Sequence, residues 1–312
     1  MKKLFPILVA LTILSSACQM GGSQEQPTPI SLPTAIPTNT PVALKATAAP
    51  AAANAAAGTE RTSPDGMTEV FVPQGSVQMG GIDSAASTDE KPVHKVSLLA
   101  FWMDKLEVTN AMYLGCITGG GCQPPQAIKS ETRQAYFNTS DFNDFPVVYV
   151  TWADAAAYCK WAGRRLPTEA EWERAARGDD VRTYPWGNNL PDSTLANFNY
   201  KYGDTNRVGS YPAGASPFGA LDMVGNVAEW VNDYYSGTYY SQNINTNPTG
   251  PIARSNFFGR VVRGGSYGDS AILIRVSKRS QVTGSNPNAD VGSPAYLGDF
   301  SPRIGFRCAA NN

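Results

Sequence analysis

The chain has 312 residues, of which 42% are hydrophobic and 16% charged, and its formal net charge is −1. This length fits one large domain or two ordinary ones, and the near-neutral balance gives no reason to expect nucleic acid as a partner. The 29 glycines and 23 prolines favour a loop-rich α+β domain over a helical bundle.

Residues 1–18 have the form of an export signal. Lys2 and Lys3 precede an apolar stretch, Leu4 to Leu14, which is much shorter than the ~20 residues that span a bilayer. Small residues then lead to Cys18, as at a cleavage site. The pattern is similar to a bacterial lipoprotein signal with Cys18 as the lipidated residue. We therefore expect a lipid-anchored, extracytoplasmic protein of the bacterial cell envelope, with the membrane as a partner through the anchor. Plain secretion is the alternative.

Residues 19–62 lack the composition of a folded core. The segment is rich in Thr, Ala, Ser and Gln, and it contains six prolines, at positions 27, 29, 33, 37, 41 and 50. Such a chain is extended and solvated. We expect 19–62 to be a disordered linker and 63–312 to be the folded domain.

The first part of the domain predicts strands. Apolar residues alternate within 68–79 on both sides of a turn at Pro73-Gln74-Gly75, which indicates two short strands. A third strand is expected over 96–103. Thr109 is then placed to cap a short helix that runs through Tyr113.

Two further helices have strong start and stop signals. Capping boxes at Thr151–Asp154 and Thr168–Glu171 predict their starts, and Gly163 and Gly178 are placed to end them. Their tryptophans are expected in the core, and their glutamates at caps or on the surface: Trp161, Trp172, Glu171 and Glu173.

If Cys18 carries lipid, four cysteines remain, at positions 116, 122, 159 and 308. An even number in an exported chain predicts disulfides, with three possible pairings. Cys116 and Cys122 flank Ile-Thr-Gly-Gly-Gly, whose glycines allow a tight return. This spacing favours a disulfide between them.

Four motifs in order carry a family resemblance. They are Gly163-Arg-Arg-Leu-Pro-Thr-Glu-Ala-Glu-Trp-Glu-Arg-Ala-Ala-Arg-Gly178, Asp222-Met-Val-Gly-Asn-Val-Ala-Glu-Trp230, Arg263-Gly-Gly-Ser-Tyr267 and Ile304-Gly-Phe-Arg-Cys308. Together they resemble the formylglycine-generating enzyme, or sulfatase-modifying factor, family, over roughly residues 66–310. The resemblance implies the family's C-type-lectin-like α+β fold, with extensive loops and little regular secondary structure. It also implies a disulfide between Cys159 and Cys308.

The resemblance also places a groove beside the Gly-Gly-Ser-Tyr motif. Active members carry two cysteines there that bind copper(I), but the matching positions here are Asp269 and Ile274. A carboxylate is a hard donor and isoleucine offers none, so we do not expect copper. Ser266 matches an active-site serine, and Arg303 stands where active relatives carry an asparagine. Ser266, Asp269, Ile274 and Arg303 are the predicted groove residues.

Calcium is the metal that the resemblance implies. Its oxygen ligands would come from Asp222, Gly225, Val227 and Glu229 in one site, and from Asn197, Phe198 and Asp204 in a second. The alternative is that Asp222 caps a turn and Glu229 pairs with an arginine. A triad of histidine ligands is excluded because the chain has one histidine, His94. This separates it from the related iron-dependent sulfoxide synthases.

We therefore expect a membrane-tethered pseudoenzyme that binds a peptide, glycan or protein through the groove. The family's own activity is an oxidation, and the missing cysteine pair leaves open whether this chain is an enzyme. One alternative is an enzyme of the same family acting by cysteine-independent chemistry. The other is a formylglycine-generating oxidase.

Overall fold

Short strands and three helices form the regular structure of the computed structural model, which describes residues 55–252, 259–283 and 300–312. The predicted export signal, Cys18 and most of the predicted linker lie outside these residues. Within them, no helix combines the length and the apolar character needed to cross a membrane.

The three helices begin at the predicted caps. They are α1 (Asn110–Thr118), α2 (Trp152–Trp161) and α3 (Glu169–Arg177). The side chains of Thr109, Thr151 and Thr168 each accept a hydrogen bond from a backbone N–H of the first turn, which satisfies a donor that the helix cannot. α1 extends beyond the short helix predicted there, through Thr118.

Ten strands in the described residues form three sheets. In chain order they are β1 (Glu60–Thr62), β2 (Thr68–Val72), β3 (Gly75–Met79), β4 (His94–Leu98), β5 (Phe101–Asp104), β6 (Ala228–Tyr234), β7 (Gly259–Arg263), β8 (Arg279–Thr283), β9 (Ile304–Phe306) and β10 (Ala309–Asn311). The sheet orders are β1-β2-β5-β10, β3-β4 and β8-β7-β6-β9. β9 runs parallel to β6, and the other pairs are antiparallel.

Two boundaries differ from the sequence predictions. β1 pairs with β2, so the folded domain begins before residue 63. The single strand expected over 96–103 is two strands, β4 and β5, because the pairing with β2 and β3 is interrupted at Leu99 and Ala100, opposite Pro73, which has no backbone N–H to donate. Leu99 is 62% exposed, and its backbone N–H donates to Oδ1 of Asn247.

The helices and sheets enclose two main groups of buried side chains. One lies under α3, around Trp172, Met103 and Val231. The other lies under α1 and α2 and contains all four cysteines of the domain. Both disulfides are confirmed, with Cα separations of 5.4 Å for Cys116–Cys122 and 5.6 Å for Cys159–Cys308, inside the ~4.4–6.8 Å range of disulfide geometry.

Two side-chain predictions for the helices are wrong. Glu173 is fully buried, not at the surface, because Arg177 and Arg263 pair with its carboxylate. Trp161 is 39% exposed. It covers the loop closed by Cys116–Cys122, where a Cβ on Gly121 would lie 2.2 Å from the indole. Trp172 is buried, as predicted.

Candidate functional site

The candidate groove lies where β7 leads into the Gly-Gly-Ser-Tyr turn. Gly264 and Gly265 have φ angles of 87° and 66°, which residues with a Cβ rarely adopt. A Cβ on Gly264 would also lie 2.9 Å from the carbonyl oxygen of Met223. The two glycines therefore let the chain turn sharply against the 222–229 loop and bring Ser266 to the groove.

Ser266 and Asp269 form one hydrogen-bonded unit. The backbone N–H and the hydroxyl of Ser266 both donate to Oδ2 of Asp269, each at 2.8 Å. The Ser266 side chain is almost completely buried, whereas Asp269 is half-buried. The hydroxyl is thus held facing a carboxylate, and the second carboxylate oxygen stays available to a ligand.

The structure brings three of the four predicted groove residues together. A cavity of about 240 Å³ is lined by Ala228, Val262, Gly265, Ser266, Asp269, Leu273, Lys278, Ser280, Gln281, Val282, Ser301, Arg303 and Ile304. Ile274 does not line it, and this prediction is corrected. The short turn Ala271–Leu273 directs Ile274 into the core, where it is fully buried, and leaves Leu273 at the cavity.

Arg303 lies in an aromatic and acidic setting. Its guanidinium centre is 5.1 Å from the ring of Tyr200 and 5.8 Å from that of Tyr267, and Nη2 is 3.6 Å from Oε1 of Glu131. Stacking on aromatic faces stabilises a guanidinium. Sequence reasoning missed Tyr200 and Glu131, because they come from separate loops, and it missed Leu273, which takes the cavity position expected of Ile274.

The groove offers oxygen and nitrogen donors, not thiolates. All four cysteines of the described residues are in disulfides. Asp269 is the acidic side chain among the lining residues, and a carboxylate suits hard ions rather than copper(I). The arrangement is suited to holding a ligand by hydrogen bonds, ion pairing and contact with Leu273.

In the first predicted calcium site, Glu229 is bound by other side chains. Arg307 donates to both of its oxygens, at 2.7 and 2.8 Å, and the indole N–H of Trp172 donates at 2.7 Å. This is the arginine pairing considered as the alternative. Asp222 has a φ angle of 53°, and its Oδ2 accepts a hydrogen bond from the backbone N–H of Gly209 at 2.6 Å.

Asp222 is one of three buried carboxyl groups that act on one another. Burial raises the pKa of the Asp222 carboxyl to about 6, and Glu229 acts in the same direction against Arg307. Burial also raises the pKa of Glu107 well above its usual range, with Asp222 and Glu229 as further causes. Three buried carboxyl groups thus face one guanidinium. A cation at Asp222 would have to share Glu229 with Arg307.

In the second predicted calcium site, one of the two polar side chains is suited to bind a metal ion and the other is not. Oδ1 of Asn197 is buried and has no hydrogen-bond partner in the described residues, so it fits a metal ligand. Asp204 does not. Its Oδ2 accepts hydrogen bonds from Ser130 and from the backbone and hydroxyl of Thr132, and Arg133 lies at 3.3 Å. Across the described residues, no group of three or more His, Cys, Asp and Glu side chains is placed to hold a metal.

Comparisons with known proteins agree on one family. Residues 54–312 match the model of the sulfatase-modifying factor enzyme 1-like domain. The chain is 31% identical to the formylglycine-generating enzyme of Bos taurus over 295 residues, covering 78% of this chain and 74% of the relative. It is 32% identical to the serine/threonine-protein kinase pkn1 of Chlamydia pneumoniae, covering 78% of this chain. It is 34% identical to hercynine oxygenase of Mycolicibacterium smegmatis, covering 68% of this chain.

The match is to a domain of these last two relatives, since the chain spans 38% of the kinase and 57% of the hercynine oxygenase. Among solved structures, PvdO from Pseudomonas aeruginosa superposes with a TM-score of 0.66 at 24% identity, covering 83% of this chain and 100% of PvdO. The fold is therefore the loop-rich, C-type-lectin-like α+β fold expected from the sequence. With the family model matching most of its length, the chain belongs to the sulfatase-modifying factor family.

Proposed function

We propose that this chain is a membrane-tethered, non-catalytic member of its family that binds a peptide, glycan or protein through the groove. The tether would be the lipid on Cys18, which would hold the domain outside the cytoplasm in the cell envelope. Residues 19–54 would supply reach from the membrane surface. Calcium is proposed as a structural ion at Asp222.

One observation carries the non-catalytic proposal. Asp269 stands at one of the two positions where active relatives have a copper-binding cysteine, and both hydrogen bonds from Ser266 fix its orientation. The second position, Ile274, is fully buried in the core. The chemistry of the family needs a soft thiolate pair at these two positions. A hard carboxylate and a buried aliphatic side chain do not replace it.

An oxidation assay tests this proposal. The full chain is incubated with copper(I) and a peptide that contains Cys-x-Pro-x-Arg, and the mass of the peptide is then measured by mass spectrometry. We expect the peptide mass to stay unchanged relative to a no-protein control. Conversion of the cysteine to formylglycine by the unmodified chain would contradict the proposal.

The contact between Ser266 and Asp269 favours a second candidate, an enzyme that does not use cysteine. A hydroxyl that donates to a carboxylate at 2.8 Å has the geometry in which a base can activate a nucleophile. A fluorophosphonate probe, which labels activated serines, separates the two candidates. We expect no more labelling than in Ser266→Ala. Labelling of Ser266 that is lost in Asp269→Asn would establish the enzyme instead.

A further inference from the structure

A second and larger cleft lies away from the groove and shares no lining residue with it. Its volume is about 570 Å³, within the roughly 300–1,000 Å³ of small-molecule sites. The walls come from the β2–β3 turn, the β4–β5 connection, the start of α3, β6, the 247–249 segment and β10. The lining residues are Gln74, Leu98, Leu99, Ala100, Arg165, Leu166, Thr168, Glu171, Asn232, Asn247, Pro248, Thr249, Asn311 and Asn312.

The lining side chains carry no net charge. Arg165 and Glu171 are the charged residues among them, and they neutralise each other in a bidentate pair with N–O distances of 2.7 Å and 2.7 Å. Oδ1 of Asn311 also accepts from Arg165, at 2.8 and 3.0 Å. The ion pair is therefore held in place by its own partners, and the side chains of the cleft offer a ligand no free charge.

Amide side chains dominate the polar part of the cleft. Five of the lining residues are Asn or Gln, and each amide has both donors and an acceptor. Oδ1 of Asn247 accepts a hydrogen bond from the backbone N–H of Leu99, and Oδ1 of Asn311 accepts one from Arg165. The NH₂ groups of both residues can therefore donate to a ligand. Leu98, Leu99 and Leu166 provide apolar contact beside them. A ligand with many hydroxyls and apolar C–H faces matches this mixture.

The strands beside the cleft are already paired, which argues against an extended peptide. β4 pairs with β3 and, on its other side, Ser97 exchanges backbone hydrogen bonds with Asn245 and Asn247 at 2.7 and 2.9 Å. β10 pairs with β5, and its Ala309 exchanges two hydrogen bonds with Arg165 at 2.7 and 2.9 Å. A peptide strand would find no open ladder here, so recognition must come from side chains.

From the size, neutrality, amide lining and closed strand edges, we propose that this cleft binds a neutral oligosaccharide. This site is independent of the groove. The hydroxyls of the sugar would exchange hydrogen bonds with Asn232, Asn247, Asn311 and Gln74, while one sugar face packs on Leu99. Leu99 lies in the break between β4 and β5, where it is exposed and lines the cleft.

Titration calorimetry on the full chain, in a detergent without sugar head groups, tests the proposal. The probes are maltotriose, cellotriose, mannotriose and triacetylchitotriose, with trigalacturonic acid as the charged comparison. We expect at least one neutral trisaccharide to bind with a Kd of about 1 mM or lower, and the charged one to bind at least about tenfold more weakly.

Two variants locate the binding. Leu99→Trp fills the cleft from an exposed position, and Asn311→Ala removes an amide donor. We expect at least about tenfold weaker binding for Leu99→Trp, a smaller loss for Asn311→Ala, and none for Ser266→Ala in the groove. Circular dichroism melting checks that each variant is folded. Absence of saturable binding for all four neutral sugars, or equal binding by wild type and Leu99→Trp, would overturn the proposal.

Discussion

Asp104 is a buried carboxyl group whose charge the fold tolerates poorly. Oδ2 accepts the backbone N–H of Cys308 at 2.8 Å, and Oδ1 has no hydrogen-bond partner in the described residues, although Nε of Arg164 lies at 3.5 Å. Burial raises the pKa of Asp104 to about 7 against the opposing effect of Arg164. The folded protein therefore keeps a proton that the unfolded chain releases at lower pH.

This pKa predicts a pH dependence with a definite sign. Between the ordinary aspartate pKa of about 4 and a folded pKa of about 7, the folded state binds more protons, so stability falls as pH rises through this window. Asp104→Asn keeps an acceptor for Cys308 and removes the charge. We expect its free energy of unfolding to decline less between pH 5 and 8, by as much as roughly 3 kcal/mol.

Urea unfolding at several pH values measures this difference. Glu60→Gln, at an exposed residue of β1, is the control and should follow the wild-type profile. Identical pH profiles for wild type and Asp104→Asn would show that Asp104 has no such role.

Asp222 is the residue at which the proposed calcium ion is tested. A ligand that binds only the folded state raises the melting temperature by mass action. We expect calcium to raise the wild-type melting temperature and a chelator to lower it. Asp222→Ala should lose this response, whereas Asp204→Asn should keep it, because Ser130, Thr132 and Arg133 already satisfy that carboxylate. A full calcium response in Asp222→Ala would place the ion elsewhere.

Helix α3 carries charged side chains on its buried face. Glu169 pairs with Arg263 and Arg279, and Glu173 pairs with Arg263 and Arg177. These arginines come partly from β7 and β8, so the ion pairs join the helix to the third sheet. Removing one partner of a buried pair leaves the other charge uncompensated, which costs much more than the pair itself contributes.

Two substitutions on α3 compare the stability lost when a buried ion pair is broken with the stability lost when a partly exposed one is broken. We expect Glu173→Gln to lower the free energy of unfolding by roughly 3–5 kcal/mol, because Arg263 and Arg177 lose the carboxylate that pairs with both of them. Glu171→Gln should cost less than about 1 kcal/mol, since Arg165 is 37% exposed at its side chain and Gln preserves the capping box. Chemical denaturation measures both, and equal losses would contradict the distinction.

At the scale of the whole molecule, the two disulfides close loops of very different length. Cys116 and Cys122 are 6 residues apart, whereas Cys159 and Cys308 are 149 apart. The entropy removed from the unfolded chain grows with loop length. The long-range bridge should therefore contribute much more to the stability of the domain.

Paired alanine substitutions test this expectation. We expect Cys159→Ala/Cys308→Ala to cost about 5 kcal/mol and Cys116→Ala/Cys122→Ala about 2–3 kcal/mol. Each variant is compared with wild type by denaturant unfolding. A larger loss from the Cys116–Cys122 pair would show that local packing around Trp161, not loop closure, sets these values.

The sequence predicts local features of this fold better than it predicts where side chains meet. Helix caps at Thr151 and Thr168 depend on neighbouring residues and are confirmed. A charged residue such as Glu173 is expected at the surface when only its neighbours in sequence are considered. Its burial depends on Arg263, which is 90 residues away. For Ile274, the family motif identified the matching position in the sequence but not the direction of the side chain. The turn at Ala271–Leu273 directs that side chain into the core. The oligosaccharide cleft has no sequence motif, because six separate segments form it.

The strands β9 and β10 have a consequence for the order in which the chain is made. Residues 304–311 place β9 beside β6 and β10 beside β5, with Arg307 and Cys308 between them. Each four-stranded sheet thus includes a strand, β9 or β10, that is synthesised after all its other strands. Shorter nascent chains would lack the partner of Cys159 and the cation that faces Glu229. The two four-stranded sheets and the long-range disulfide can therefore be completed only after residues 304–311 have been made.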